Sequence, residues 1–82
     1  MKLYRCKTGD CNISGRKIRE LREAAEMSQE QLAAKMQLLG HNINQKAISR
    51  IETGDRVVPD YELLYFANAL SASVSELLNI ND

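Results

Sequence analysis

Apolar residues recur along most of this chain at intervals of three and four, the spacing that lines one face of an α-helix. Ile18, Leu21 and Ala25 form the first such stripe, which predicts a helix from Asn12 or Ser14 to about Ala25 with Arg16, Lys17, Arg19, Glu20, Arg22 and Glu23 on its other faces. Met27 and Ser28 interrupt it. Ser28 with Gln31 makes a capping box, in which the serine oxygen accepts from a free backbone N–H and the glutamine reaches back. A second helix follows, with Leu32, Ala33, Met36 and Leu39 inward, and Gly40 ends it. His41, Asn42 and Ile43 form a short connection. Asn44 is the next cap. A third helix from Gln45 to Thr53 buries Ala47, Ile48 and Ile51, and Gly54 closes it.

The segment 55–59 reads as a loop, extended at Val58 because a proline follows. Asp60 caps a fourth helix, Tyr61 to Leu70, with Leu63, Leu64, Ala67 and Leu70 inward. Ser73 and Glu76 form a second capping box before a last helix from Val74 to Leu78. Residues 1–11 show no helical period and carry a turn signal at Thr8, Gly9 and Asp10, so they read as an N-terminal arm. The chain thus divides into an arm, 1–11, and one all-α domain of five short helices, 12–82.

Composition agrees. With 44% apolar and 27% charged residues the chain is globular, and four aromatics without tryptophan leave an aliphatic core. No stretch approaches the roughly 18 apolar residues of a membrane span, and no apolar leader opens the sequence, so a cytoplasmic protein is expected. Net charge is zero, but it is polarised: residues 1–22 carry +5, residues 23–56 carry −1 and residues 57–82 carry −4. A polarised surface can still show one basic face to a polyanion. The basic arm (Lys2, Arg5, Lys7) is read equally as a solvated tail and as a segment that follows DNA into an adjacent groove.

The chain offers little for catalysis. It lacks a paired-acid, Cys-His or Ser-His-Asp arrangement and a glycine-rich phosphate loop, so no enzyme and no cofactor are expected. A tetrahedral metal site needs about four ligands. Here His41 stands thirty positions from Cys11, so no metal is expected and His41 reads as a solvated turn residue. Cys6 and Cys11 read as two reduced thiols. A local disulfide, a redox switch and a zinc site shared between chains are the alternatives.

Two helices joined by a short glycine-containing turn are the arrangement that places a second helix in the DNA major groove. There each base pair shows its own donor and acceptor pattern. The third helix suits that task. With Ala47, Ile48 and Ile51 inward, Asn44, Gln45, Lys46, Ser49 and Arg50 face out. Glutamine can bond adenine, and arginine or lysine can bond guanine.

The segments LREAAEMSQEQLAAKM, QKAISRIETGDR and ELLYFANALSASVSELL strongly resemble the phage repressor and Cro-like helix-turn-helix family, also called the xenobiotic-response-element type. The resemblance spans about Ile13 to Leu78 and implies a lambda-repressor-like, five-helix DNA-binding domain. It implies base reading by Gln45, Lys46 and Arg50, and phosphate contacts by Gln29, Asn44, Ser49, Thr53 and Arg56. It implies a structural ion pair between Arg22 and Glu52. One departure stands out. Leu32 and Ile48 lie sixteen positions apart, farther than in the usual family pattern, so helix two or the turn over 37–44 is lengthened. His41 and Asn42 could then also reach phosphates.

The function expected is a transcriptional regulator, a repressor that binds double-stranded DNA as a homodimer on a two-fold operator. The C-terminal residues Leu77, Leu78 and Ile80 are its candidate dimer surface. No small-molecule ligand is expected, since the domain fills the sequence. The alternative is a protein-interaction module, such as an antitoxin that regulates its own synthesis.

Overall fold

The computed structural model describes residues 9–80. Cys6 and the basic residues Lys2, Arg5 and Lys7 of the expected arm, together with Asp82, lie outside the described residues. Within them the chain is all-α: α1 Gly15–Ala24, α2 Gln29–Leu38, α3 Gln45–Glu52, α4 Asp60–Leu70 and α5 Val74–Leu77. No helix among them is long and apolar enough to cross a membrane.

Local chemistry sets most of the boundaries. Both capping boxes form: the Ser28 and Ser73 hydroxyls accept from the N–H groups of Gln31 and Glu76, whose side chains return the bond. The Asn44 side chain accepts from the Ala47 N–H and caps α3. At α1 the cap comes from farther back than Ser14. The Gly15 N–H donates to Asn12 Oδ1 at 2.7 Å. Helices α2 and α3 close with paired backbone bonds. His41 N–H donates to the Met36 carbonyl and Gly40 N–H to that of Gln37, while Asp55 and Gly54 do the same to Arg50 and Ile51. Both closures need a left-handed residue, supplied by Gly40 at φ 102° and Gly54 at φ 86°.

The helices surround one core. Helix α2 packs on α3 and α4, α1 on α3, α4 and α5, and α4 on α5. Ile18, Leu32, Met36, Ile48, Ile51, Phe66 and Leu77 have no solvent exposure. Burying each such side chain contributes roughly 1.5–3 kcal/mol.

Several expectations change here. Leu39 faces solvent at 43% exposure, because α2 stops at Leu38 and the chain turns at Gly40. Ile43, read as part of a connection, enters the core in its stead. The inward face of α4 is Glu62, Phe66, Ala67 and Ala69, while Leu64 is exposed and Leu63 and Leu70 are half-buried. Ala25 is exposed beyond the end of α1, and Ala47 is half-buried. Leu77, read as part of a dimer surface, is fully buried within the protomer. Cys11, placed in the arm by the sequence, is a buried free thiol whose N–H donates to the Gly54 carbonyl at 2.7 Å.

Candidate nucleic-acid interface

Helix α3 has one buried and one open face. Ile48 and Ile51 are fully buried, and Gln45, Lys46 and Arg50 are exposed. Successive residues turn by 100°, so positions 45, 46, 49, 50 and 53 share the open side. Ser49 on that side is half-buried, and Asn44 and Thr53 at its two ends are exposed. The structure therefore brings the three expected base readers and three of the expected phosphate contacts onto one short ridge.

A chain of polar side chains runs under that ridge. Arg22, on α1, donates from Nε to Glu52 Oε2 at 2.7 Å and from Nη2 to Glu52 Oε1 at 3.0 Å. The geometry is a two-pronged fork, the strong form of an arginine–carboxylate pair. A third guanidinium donor, Nη1, meets the Met27 carbonyl at 2.8 Å. Only 2% of the Glu52 side chain and 11% of the Arg22 side chain are exposed, so the pair is shielded from water. The hydrogen bond to Glu52 holds the guanidinium above its ordinary pKa. Burial opposes this, and the charges of Glu52 and Glu23 add to it.

Glu52 also receives Gln29 Nε2 at 3.0 Å, and Gln29 Oε1 in turn accepts from Gln45 Nε2 at 2.6 Å. The carboxylate, which can only accept, thus sets which end of the Gln29 amide faces Gln45. Gln29 sits at the N-terminus of α2, where the helix dipole favours an anion such as a phosphate.

The ends of the ridge are also held. Asn44 Oδ1 accepts from Ala47 N–H at 2.8 Å. Thr53 Oγ1 lies 3.2 Å from the Arg50 carbonyl and 3.1 Å from Asp55 Oδ2. Asn12 Nδ2 donates to the carbonyls of Ile51 at 3.0 Å and Arg56 at 2.7 Å, tying the start of the domain to the end of α3. Arg56 stands apart from the exposed row. It is half-buried, and its Nη1 donates to Glu62 Oε1 at 2.6 Å and to the Val57 carbonyl at 3.1 Å.

Two groups escape the sequence reading. His41 is not a solvated turn residue, since its Nε2 lies 2.6 Å from Glu62 Oε2. Its ring stacks on Tyr65 with centroids 4.8 Å apart and meets Tyr61 edge-on. Glu62 itself is 1% exposed on the core face of α4. The only sign of either in the sequence is a charge at a position in phase with Phe66 and Ala69.

Comparison with known proteins decides the family. A helix-turn-helix domain family model matches residues 15–79, the whole run from α1 to α5. The chain belongs to the helix-turn-helix family. It is similar in sequence and structure to the restriction-modification controller protein C.AhdI from Aeromonas hydrophila. Identity is 33% and the TM-score 0.69, covering 78% of this chain and 89% of that one. Among curated proteins none matches. The helix-turn-helix pair is α2 and α3, joined by the long link through Gly40 and Ile43. The family and fold are those of DNA-binding regulators rather than enzymes, and this chain is a DNA-binding regulator of that type.

Proposed function

We propose that the protein is a repressor that places α3 in the major groove of a two-fold operator, as a homodimer in the cytoplasm. The observation that carries this reading is the exposed row Gln45, Lys46 and Arg50 over the buried Ile48 and Ile51. These three side chains read bases, which is where sequence preference arises. Gln29, Asn44, Ser49, Thr53 and Arg56 contact phosphates and fix the register. Arg56 does so while part of its guanidinium stays bound to Glu62. One such helix reads few base pairs, so two copies on half-sites about one DNA turn apart supply the selectivity. Leu78 and Ile80 are the parts of the expected dimer surface that lie outside the buried core, Ile80 with 55% exposure. The similarity to a controller protein supports a regulatory role.

Duplex binding measured against salt tests this reading, with the mass of the complex determined in parallel. The expected result is two chains per duplex and an affinity that falls steeply as salt rises, since released counterions drive phosphate contacts. A stable complex with another protein and no affinity for duplex DNA would favour the antitoxin-like alternative and contradict the proposal.

A further inference from the structure

We propose that Glu62 is a positioning residue for DNA reading, one buried carboxylate that holds the chain on both sides of α3. This rests on the reading of α3 as the helix that enters the groove.

The geometry is specific. Glu62 projects from α4 into the core with 1% exposure, where the flanking inward residues are Phe66, Ala67 and Ala69. An ionised carboxylate is costly there unless it is paired and fully hydrogen-bonded. Both oxygens are satisfied, by side chains from two different segments. Oε2 meets His41 Nε2 at 2.6 Å, and Oε1 receives Arg56 Nη1 at 2.6 Å, with Arg56 Nη2 at 3.3 Å from Oε2. His41 belongs to the link before α3 and Arg56 to the loop after it. A single side chain on a third helix therefore fixes the entry and the exit of α3.

Each partner is itself held. The imidazole is stacked on Tyr65 at 17° between planes and faces the edge of Tyr61. Arg56 gives a further bond to the Val57 carbonyl, and its own carbonyl accepts from Asn12. Stability alone does not call for this arrangement. A buried ion pair replaced by apolar side chains of similar volume often leaves a protein as stable or more so. What the carboxylate adds is one shared anchor for two segments that backbone bonds at His41 and Asp55 close separately.

Glu62→Gln keeps the volume and removes the charge. Its test uses the duplex enriched by selection from a random pool and a mixed-sequence duplex of equal length. The expected result is that the ratio of the two affinities falls about tenfold, on top of any change that the release of Arg56 brings to both duplexes alike. His41→Ala lowers the ratio in the same sense, and His41→Gln, which keeps a donor, restores it. These two variants carry the test if Glu62→Gln does not fold. Without DNA, backbone amides of 39–44 and 53–58 should exchange hydrogen faster in Glu62→Gln, with α1 and α5 unchanged. A variant with a lower Tm but an unchanged ratio and unchanged exchange in both flanks would overturn the proposal and leave Glu62 a core filler. A wild-type protein with no preference for any sequence would overturn the reading of α3 and the role given to Glu62 together. Faster exchange in both flanks would still show that the carboxylate holds them.

Discussion

Gln45 Nε2 donates to Gln29 Oε1 across 2.6 Å, joining the first residue of α3 to the first residue of α2. Gln29 is bound in turn to Glu52, and Glu52 to Arg22. The amide proposed to read a base is thus oriented by the amide proposed to contact a phosphate. Its orientation leads back to a shielded ion pair. Gln29→Ala should weaken binding to every duplex by roughly 1 kcal/mol, the worth of one hydrogen bond. It should also blur the preference at the base pair beneath Gln45. Gln45→Ala should leave mixed-sequence binding intact and relax that one position by about 1–3 kcal/mol. Anisotropy titrations against a set of single-base operator variants measure both. A Gln29→Ala protein with full affinity and unblurred preference would contradict this coupling.

The Arg22–Glu52 pair predicts a large stability effect. Arg22→Ala leaves a carboxylate with 2% side-chain exposure to Gln29 alone and should cost about 3–5 kcal/mol in denaturant unfolding. Replacing both partners with apolar residues of similar volume should recover most of that loss. The pH dependence follows from the direction of the Arg22 shift. A cation whose pKa is raised on folding contributes fully below its unfolded value and loses that contribution only above it. The Arg22→Ala loss should therefore be constant from about pH 6 to 9. A loss that shrank within that range would contradict the assignment.

Asn44 serves α3 as a cap through Oδ1 and faces solvent with the rest of its side chain. Asn44→Ala should cost about 1 kcal/mol of stability, and Asn44→Ser should regain most of it. If Asn44 also meets a phosphate, the alanine variant should lose more DNA affinity than the serine variant. Thermal melts and titrations of the two proteins separate the roles.

The phase of α4 has its own test. Phe66 is fully buried and Leu64 is 59% exposed, although both are large and apolar. Phe66→Ala should cost about 3–5 kcal/mol, whereas Leu64→Ala should stay within about 0.5 kcal/mol. Equal losses would contradict the observed orientation of the helix.

These contrasts show which features the sequence carries openly. The capping boxes at Ser28 and Ser73 and the closures at Gly40 and Gly54 need only neighbouring residues, so they are legible along the chain. The buried face of α3 is legible too, because Ile48 and Ile51 are the only large apolar residues in it. In α4, by contrast, leucines at 63, 64 and 70 and aromatics at 61, 65 and 66 permit several apolar stripes. The choice among them is made by packing against α1, α2 and α5. Glu62 is hidden for the same reason. A charge on the core face makes sense only once His41 and Arg56, far from it in sequence, are seen beside it. Asn12 is hidden likewise, since its partners Ile51 and Arg56 belong to the other end of the helix-turn-helix pair. The site ridge was readable from periodicity, while the side chains that hold it in place come from long-range contacts.

The most direct test of the central claim is selection of bound duplexes from a random pool by the full chain, repeated with Arg50→Ala. The account predicts a two-fold consensus with half-sites about one DNA turn apart. It further predicts that the Arg50 variant loses preference at one symmetric pair of positions and keeps the rest. Absence of any enriched sequence, or a consensus that Arg50→Ala leaves unchanged, would contradict it.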